Sequence, residues 1–237
     1  FPTGMSRPTV AIIAGLGAVL ALVVAGIVYL TPPHRAAPGF TLAPSPSPVT
    51  GGPSALAGTW VVDSGSEAGY RVAERFINQP ADTEAVARTS SMSGQMVLAG
   101  GLPGLELRTA TFAADISKLH STDANATHGT AVRDKFVALE YLQTAFYPQA
   151  VFVAGSLSLP AAGAPADLAV PGTFTVHGLT HAVSIPMKIS RNGDRLEVVA
   201  AFRIHYHDYQ IDVPAVPFTT VAPEATVEVH LFLRRQS

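Results

Sequence analysis

The histidines are the residues of this chain whose chemistry is most easily read from spacing. Two of the eight, His205 and His207, are separated by one residue within an alternating segment. On a strand such a pair shares one face, with the imidazoles about 7 Å apart, which suits two ligands of a zinc ion. Spacing places no carboxylate beside them, and His177, His181 and His230 qualify as a third ligand only on neighbouring strands. Surface histidines are the favoured interpretation, and no metal site is predicted.

Hydrolytic catalysis leaves no recognisable motif in this sequence. The G-x-S-x-G nucleophile elbow and the H-E-x-x-H zinc helix are both absent. His120 lies close to Ser121 and Asp123, but such a cluster is far more typical of a polar turn than of a catalytic triad. The absence of cysteine excludes disulfides, thiolate metal sites and cysteine nucleophiles. We therefore predict that the chain is not an enzyme and has no catalytic residues.

Charge and hydrophobicity narrow the class of protein further. The formal net charge of −2 comes without a basic block, so we predict no nucleic-acid partner. Only 14% of the residues are charged, against roughly 25% in average soluble domains. Part of this deficit lies in Val10–Leu30, where 21 residues carry no charge, enough to cross a hydrocarbon core of about 30 Å. We predict a transmembrane helix at 10–30; a cleaved signal peptide is the alternative.

This helix divides the chain into four predicted parts. Residues 1–9 form a cytoplasmic N-terminus and residues 10–30 the membrane anchor. Residues 31–57 contain seven prolines among Ser, Thr, Ala and Gly, so we predict an extended linker that holds the next domain off the membrane. Residues 58–237 form that domain. The Lys and Arg residues on the two sides of the helix hardly differ in number, so the positive-inside rule gives little indication of its orientation. The long linker favours an N-in, C-out arrangement.

From Gly58 onward the sequence alternates between apolar and polar residues in short segments bounded by turn residues. The predicted strands are Gly58–Asp63, Tyr70–Phe76, Ser91–Leu98, Leu105–Leu119, Gln149–Leu159, Met187–Arg191, Arg195–Tyr206 and Ala225–Arg234. One helix is predicted over Asp123–Gln143, where Val132, Phe136 and Leu139 approximate helical spacing. The fold class is all-β, with about eight antiparallel strands closed into a barrel or stacked as a sandwich.

The most informative segment is Gly172–Ile189, which reads as a β-hairpin. In its second arm Val183, Ile185 and Met187 share one face, while polar residues occupy the other. The turn is predicted at His177-Gly178, because glycine readily takes a positive φ. The hairpin therefore has one strongly apolar face.

Five blocks of the domain carry a family resemblance. They are TFTVHGLTHAVSIPMKI in the hairpin, TWVVDSGSEAGYRV, FAADISKLHSTDANATHGTAVRDKF, FYPQAVFVAGSL and IHYHDYQI. Together, over about Gly58 to Leu233, they resemble the YceI family of bacterial extracytoplasmic lipid-binding proteins with a lipocalin-like barrel. Tyr206 and Gln210 depart from the family pattern, which has arginine and glycine at these places.

The resemblance implies an eight-stranded lipocalin-like barrel that holds a polyisoprenoid, a quinone-like lipid or a similar long-chain amphiphile for sequestration or transfer, without a further cofactor. Together with the predicted anchor at 10–30, it leads us to expect a place at the bacterial cytoplasmic membrane, single-pass, with the C-terminal domain extracytoplasmic. The alternative is a packed barrel that serves as an envelope interaction module, as a subunit of a membrane complex or as a homodimer. The predicted ligand-lining residues are Phe112, Ile116, Phe174, Val176, Val183, Ile185, Met187, Val198, Phe202, Ile204, Val229 and Leu231.

Overall fold

The computed structural model describes residues 36–43, 56–77, 82–100, 104–122, 128–159, 166–192, 194–213 and 219–236. Within them the dominant elements are antiparallel strands. They are β1 (Gly58–Val62), β2 (Glu67–Phe76), β3 (Thr83–Thr89), β4 (Met92–Gly100), β5 (Leu105–Asp115), β6 (His120–Ser121), β7 (Gln149–Ala154), β8 (Leu157–Leu159), β9 (Ala166–Val176), β10 (Leu179–Asn192), β11 (Arg195–His205), β12 (Thr219–Val221) and β13 (Glu224–Arg235).

Eight of these strands close into a barrel in the order β1-β4-β5-β7-β9-β10-β11-β13, and β13 returns to β1. The end of β13 pairs with β1, whereas its first half pairs with β2. Strands β3 and β6 extend the sheet beyond β2, β12 pairs with the end of β2, and β8 pairs with the start of β5. The predicted all-β antiparallel barrel is confirmed.

One short helix accompanies the barrel. Helix α1 (His128–Phe136) continues as a π-helical turn, Val137–Tyr141. The predicted helix over Asp123–Gln143 is therefore confirmed in its central part, and residues 123–127 lie outside the description. Two 3₁₀ turns, Ile116–Lys118 and Tyr206–Tyr209, follow β5 and β11.

The hairpin prediction is confirmed with its turn. Strands β9 and β10 pair from Val176 opposite Leu179 along eleven residue pairs. His177 has a φ of 53° and Gly178 a φ of 75°. Positive φ at both central residues defines a type I′ turn, whose twist matches that of the flanking strands.

Several predicted strand boundaries are wrong for local reasons. The strand predicted over Leu105–Leu119 ends at Asp115, because the Asp115 carboxylate accepts from the backbone N–H of Ser117 and starts a 3₁₀ turn. Gln149–Leu159 is two strands, since residues 155–156 interrupt the pairing. Arg195–Tyr206 ends one residue earlier, at His205. The strand β3 was not predicted.

Part of the predicted linker lies against the outside of the barrel. The carbonyl oxygens of Ala37 and Pro38 accept from the guanidinium groups of Arg71 and Arg88, each at 2.6 Å. Further along, the backbone N–H of Ala43 donates to the Glu197 carboxylate at 3.0 Å. The segment 36–43 is therefore held on the barrel surface by side-chain contacts to three strands.

Beneath this segment lies a cluster of charged residues on the outer face. Glu228 accepts from Arg71 at 2.9 Å and from Arg88 at 3.2 Å, and only 7% of the Glu228 side chain is exposed. The Phe40 ring covers the Arg88 guanidinium at 3.9 Å. Burial by itself lowers the pKa of Arg71, but hydrogen bonds to Glu228 and Glu84 outweigh it and raise that pKa above its usual value.

The membrane helix predicted at 10–30 and the cytoplasmic segment at 1–9 lie outside the described residues. Among the residues that the structure describes, no helix combines the length and the apolar character that a membrane crossing needs.

Gly94 is expected to tolerate no side chain. Its φ is 134°, and a Cβ there would lie 2.2 Å from the Thr111 carbonyl oxygen on β5. Gly94→Ala should lower the free energy of unfolding by about 2–4 kcal/mol through strain and overlap. Gly155→Ala is the matched control, because a Cβ at Gly155 meets nothing within 4 Å. Urea titration of both variants checks this; equal stabilities would contradict it.

Candidate binding cavity

The inward faces of the barrel strands surround a cavity of about 1020 Å³. Its wall is built mostly from aliphatic and aromatic side chains, because strand alternation turns one apolar face of each strand inward. Small residues at Ala110, Ala114 and Ala200 on this wall leave the interior unfilled. The volume is at the upper end of the roughly 300–1,000 Å³ typical of small-molecule pockets. The geometry suits one large, mainly apolar ligand.

Eleven of the twelve residues predicted to face the ligand lie on this wall. They are Phe112, Ile116, Phe174, Val176, Ile185, Met187, Val198, Phe202, Ile204, Val229 and Leu231. Val183 packs against the hydrophobic core without reaching the cavity. Its cross-strand partner is Gly172, over which the Phe152 ring lies. The contact of these residues with a ligand stays a prediction.

One end of the cavity is lined by polar groups as well as apolar ones. Glu74 on β2 and Arg133 on α1 reach the wall there, together with Glu140, Tyr141 and Tyr206. These groups come from the strand ends, from helix α1 and from the turn after β11. We call this end the mouth of the cavity. A ligand with an apolar chain and a polar head matches this division.

Hydrogen bonds to Ser121 of β6 hold helix α1 next to the mouth. The Asp134 carboxylate accepts from the backbone N–H of Ser121 at 2.9 Å and also from its hydroxyl. Arg133 donates to the same hydroxyl oxygen at 2.6 Å. The side chains of Arg133 and Asp134 thus both contact Ser121 of β6.

The opposite end of the barrel is closed by packed side chains. Trp60 is 2% exposed and Leu233 is fully buried, and both belong to the hydrophobic core but not to the cavity wall. The indole N–H of Trp60 donates to the Leu56 carbonyl oxygen at 2.8 Å, which satisfies this buried donor. Trp60 and Leu233 therefore mark a packed end of the described barrel, which we call the closed end.

The histidines considered as metal ligands in the sequence are not grouped around one point in the described structure. His205 and His207 do not share a strand face, because β11 ends at His205 and a 3₁₀ turn follows. The ring N–H groups of His177 and His181 donate to the carbonyl oxygens of Tyr209 and Asp208 at 3.0 and 2.8 Å. Within the described ranges, no three His, Cys, Asp or Glu side chains are grouped as metal ligands would be.

Gln210, where the family resemblance implies glycine, lies in the turn after β11. Gln210 has a φ of 51°, in the left-handed region that favours glycine. Its backbone N–H donates to the His207 carbonyl oxygen at 3.1 Å. The hydrogen bonds from His177 and His181 hold the same turn from the neighbouring hairpin.

The family model described as the YceI-like domain matches residues 60–233, which is most of the chain and all but the first two and last two residues of the closed barrel. The chain belongs to the YceI-like family. No curated protein matches it.

Solved structures share the YceI-like fold at low identity. A polyisoprenoid-binding domain from Saccharophagus degradans, implicated in plant cell wall breakdown, superposes with a TM-score of 0.56 at 15% identity. The match covers 76% of this chain and 99% of that one. BcnA from Burkholderia cenocepacia is similar over 70% of this chain and 95% of its own, with a TM-score of 0.49 at 18% identity.

The polar groups at the mouth of the YceI-like barrel were not predicted from the sequence. The signal for one of them was present, because Tyr70, Val72, Glu74 and Phe76 alternate along β2 and all four reach the cavity wall. A glutamate in register with apolar inward residues near a strand end marks the place where the cavity meets solvent.

Folding stability is expected to fall between pH 10 and 12 through Tyr206 at the mouth. Burial, and then the nearby Glu74 carboxylate, raise the pKa of Tyr206 to about 12. The unfolded phenol ionises near pH 10, so across this interval the unfolded state loses a proton that the folded state keeps. Urea titrations at pH 9 and 11 should show a smaller loss for Tyr206→Phe than for the wild type. Equal losses would contradict the assignment.

Proposed function

We propose that this protein binds a polyisoprenoid or similar long-chain amphiphile in the barrel, noncovalently, for sequestration or transfer at the bacterial cell envelope. The observation that carries the proposal is the apolar cavity of about 1020 Å³ inside the barrel. A packed barrel, which the interaction-module alternative requires, would not contain this space. The polyisoprenoid-binding domain with the same fold supports the choice of ligand class.

The dimensions of the barrel favour a long, slender ligand. Strand β11 contains eleven residues, so it extends about 36 Å, or about 28 Å along the barrel axis at a tilt of about 40°. Each methylene buried in such a cavity contributes about 0.8 kcal/mol. Affinity therefore grows with chain length, and the polar mouth receives the head group.

The direct test is to measure the mass of the purified full chain together with any lipid that copurifies with it. The protein is extracted in a mild detergent, washed extensively in it and analysed by native mass spectrometry, followed by organic extraction. We expect one long-chain amphiphile per protein, at near one-to-one stoichiometry. Protein that carries only detergent, and that takes up no geranylgeraniol when this probe is added, would overturn the proposal.

We also propose that Val10–Leu30 anchors the protein in the cytoplasmic membrane with the barrel outside. The 21 uncharged residues support this placement. Because the chain has no cysteine, Gln236→Cys provides a single labelling site near the C-terminus. Membrane-impermeant maleimide should label it in intact spheroplasts, and the protein should stay in the membrane fraction after carbonate washing. Labelling only after lysis, or release by carbonate, would contradict the anchor or its orientation.

A further inference from the structure

Large hydrophobic side chains are exposed at the mouth of the barrel. Ile77 is 77% exposed, Leu139 is 59% exposed and Phe146 is 79% exposed. Of the five large hydrophobic side chains that are exposed in the described part of the chain, only Val153 lies away from the mouth; Tyr147 is beside Phe146. Exposed apolar groups that gather in one place mark a surface that another apolar phase covers.

The three side chains come from separate parts of the chain that end at the mouth. Ile77 follows Phe76, the last residue of β2 and part of the cavity wall. Leu139 lies in the π-helical turn, whose neighbours Val137 and Glu140 line the cavity. Ile77 and Leu139 therefore both lie next to residues that line the mouth end of the cavity.

Phe146 reaches the same end through the loop that precedes β7. Its backbone N–H donates to the Gln143 carbonyl oxygen at 2.9 Å, just after the π-helical turn. The next residue, Tyr147, stacks edge-on against the hairpin turn residue His177 with ring centroids 4.7 Å apart. The loop is thus held between α1 and the β9–β10 turn. We call Ile77, Leu139 and Phe146 the rim.

The docked segment 36–43 shows from which end the preceding chain approaches the barrel. Its start is bonded to Arg71, which is paired with Thr226 near the mouth end of β13. Its end is bonded to Glu197, which is paired with Phe232 near the closed end. The segment therefore runs from the mouth side toward the closed end.

Along the sequence, the proposed membrane span ends shortly before the docked segment begins. Five residues separate Leu30 from Ala36, and a fully extended chain covers about 20 Å over such a distance. A barrel anchored at Val10–Leu30 therefore has its mouth end, rather than its closed end, within reach of the bilayer surface.

We propose that the rim inserts into the surface of a phospholipid bilayer and presents the mouth of the cavity to it. This inference rests on the proposed function, because docking in this orientation lets a lipid chain pass between bilayer and cavity without crossing water. The partner is the lipid surface itself. Two independent features, the exposed side chains and the direction of the docked segment, place it at the same end.

Probes on single cysteines test the insertion in the full chain. The variants Leu139→Cys and Phe146→Cys are labelled with the environment-sensitive dye NBD and reconstituted into phosphatidylcholine vesicles. The matched control is Asp194→Cys, an exposed position in the turn between β10 and β11 at the closed end. We expect the two rim probes to shift to shorter emission wavelengths and to be quenched by nitroxide-labelled lipid, and the control probe to remain unaffected.

Rim probes that behave like the probe at position 194, whether all are unquenched or all are quenched, would overturn the proposal. The double variant Leu139→Ser and Phe146→Ser adds a functional readout. It should keep its copurified amphiphile but exchange it with vesicles at least about tenfold more slowly. Exchange at the wild-type rate would also overturn it. Loss of copurified amphiphile from the wild type would instead count against the proposed function, so the two failures are distinguishable.

Discussion

Phe202→Asp is expected to empty the barrel of its amphiphile while leaving the barrel folded. Phe202 is half-buried on the cavity wall, and its ring packs edge-on against Phe174 with centroids 5.2 Å apart. A carboxylate at this place stays hydrated when the cavity holds water but must be desolvated when an apolar chain enters. We expect affinity for geranylgeraniol to fall at least about 100-fold, or about 2.7 kcal/mol. Native mass spectrometry of each variant at increasing geranylgeraniol concentrations measures it.

The control is Ser184→Asp, which adds the same charge on the exposed outer face of β10. It should retain both the copurified lipid and the wild-type affinity. Circular dichroism and urea titration establish that both variants are folded. Ile185→Asp is the poorer test, because Ile185 is only 2% exposed and a charge there destabilises the barrel itself. Wild-type affinity in folded Phe202→Asp would mean that the ligand does not occupy this cavity.

Glu228→Ala is expected to cause the largest loss of stability among simple truncations on the outer face. Glu228 is the shared partner of Arg71 and Arg88, whose side chains are 14% and 10% exposed. Removing it leaves the Arg88 guanidinium buried without this carboxylate and Arg71 paired with Glu84 alone. Breaking a buried pair in this way costs about 3–5 kcal/mol. Urea unfolding of the full chain in detergent, followed by Trp60 fluorescence, should show this decrease. Glu228→Gln should fall between the wild type and Glu228→Ala, because it keeps the volume and one acceptor.

The pair Arg75 and Asp82 supplies the control for the charge cluster. Their side chains are 67% and 60% exposed, although the ion pair is short at 2.6 Å. Solvent screens such a pair, so Asp82→Ala should change the free energy of unfolding by at most about 1 kcal/mol. Comparable losses in Glu228→Ala and Asp82→Ala would show that the outer-face cluster contributes no more than an ordinary surface contact.

Alternation made part of the cavity wall predictable, and eleven of the twelve predicted residues lie on it. Wherever one strand face met the interior and the other met solvent, as along β10 and β13, the period of two identified the inward residues. Val183 is the exception among the twelve, because alternation reports the face of a strand and not the depth at which a neighbouring ring such as Phe152 fills the space.

Strand β3 escaped prediction because its environment removes the alternation. Every residue from Ala85 to Thr89 is buried, since one face packs inward and the segment 36–43 covers the other around Arg88. Proline content predicted that segment as a spacer, and composition cannot show that its carbonyl oxygens would meet two buried arginines. Contacts between residues far apart in the sequence determine both the burial of β3 and the position of segment 36–43.

Strand ends were the other source of error. His205 and His207 were assigned to one face on the assumption that β11 continued, whereas a 3₁₀ turn begins after His205. The same turn brings Tyr206 to the mouth, where its hydroxyl donates to the Glu224 carbonyl oxygen at 3.2 Å. Local propensity does not specify where a strand stops, so the polar groups that surround the opening were the least predictable part of the candidate site.

The packed end formed by Trp60 and Leu233 constrains the kinetics of loading. Because these side chains fill the barrel at that end, we expect that an incoming chain cannot push the resident one out between them. Exchange must therefore be dissociative: the resident leaves first, and the observed rate of replacement levels off at its off-rate however concentrated the competitor becomes. The dissociation rate then depends on the length of the buried tail, since each further methylene in the cavity slows dissociation.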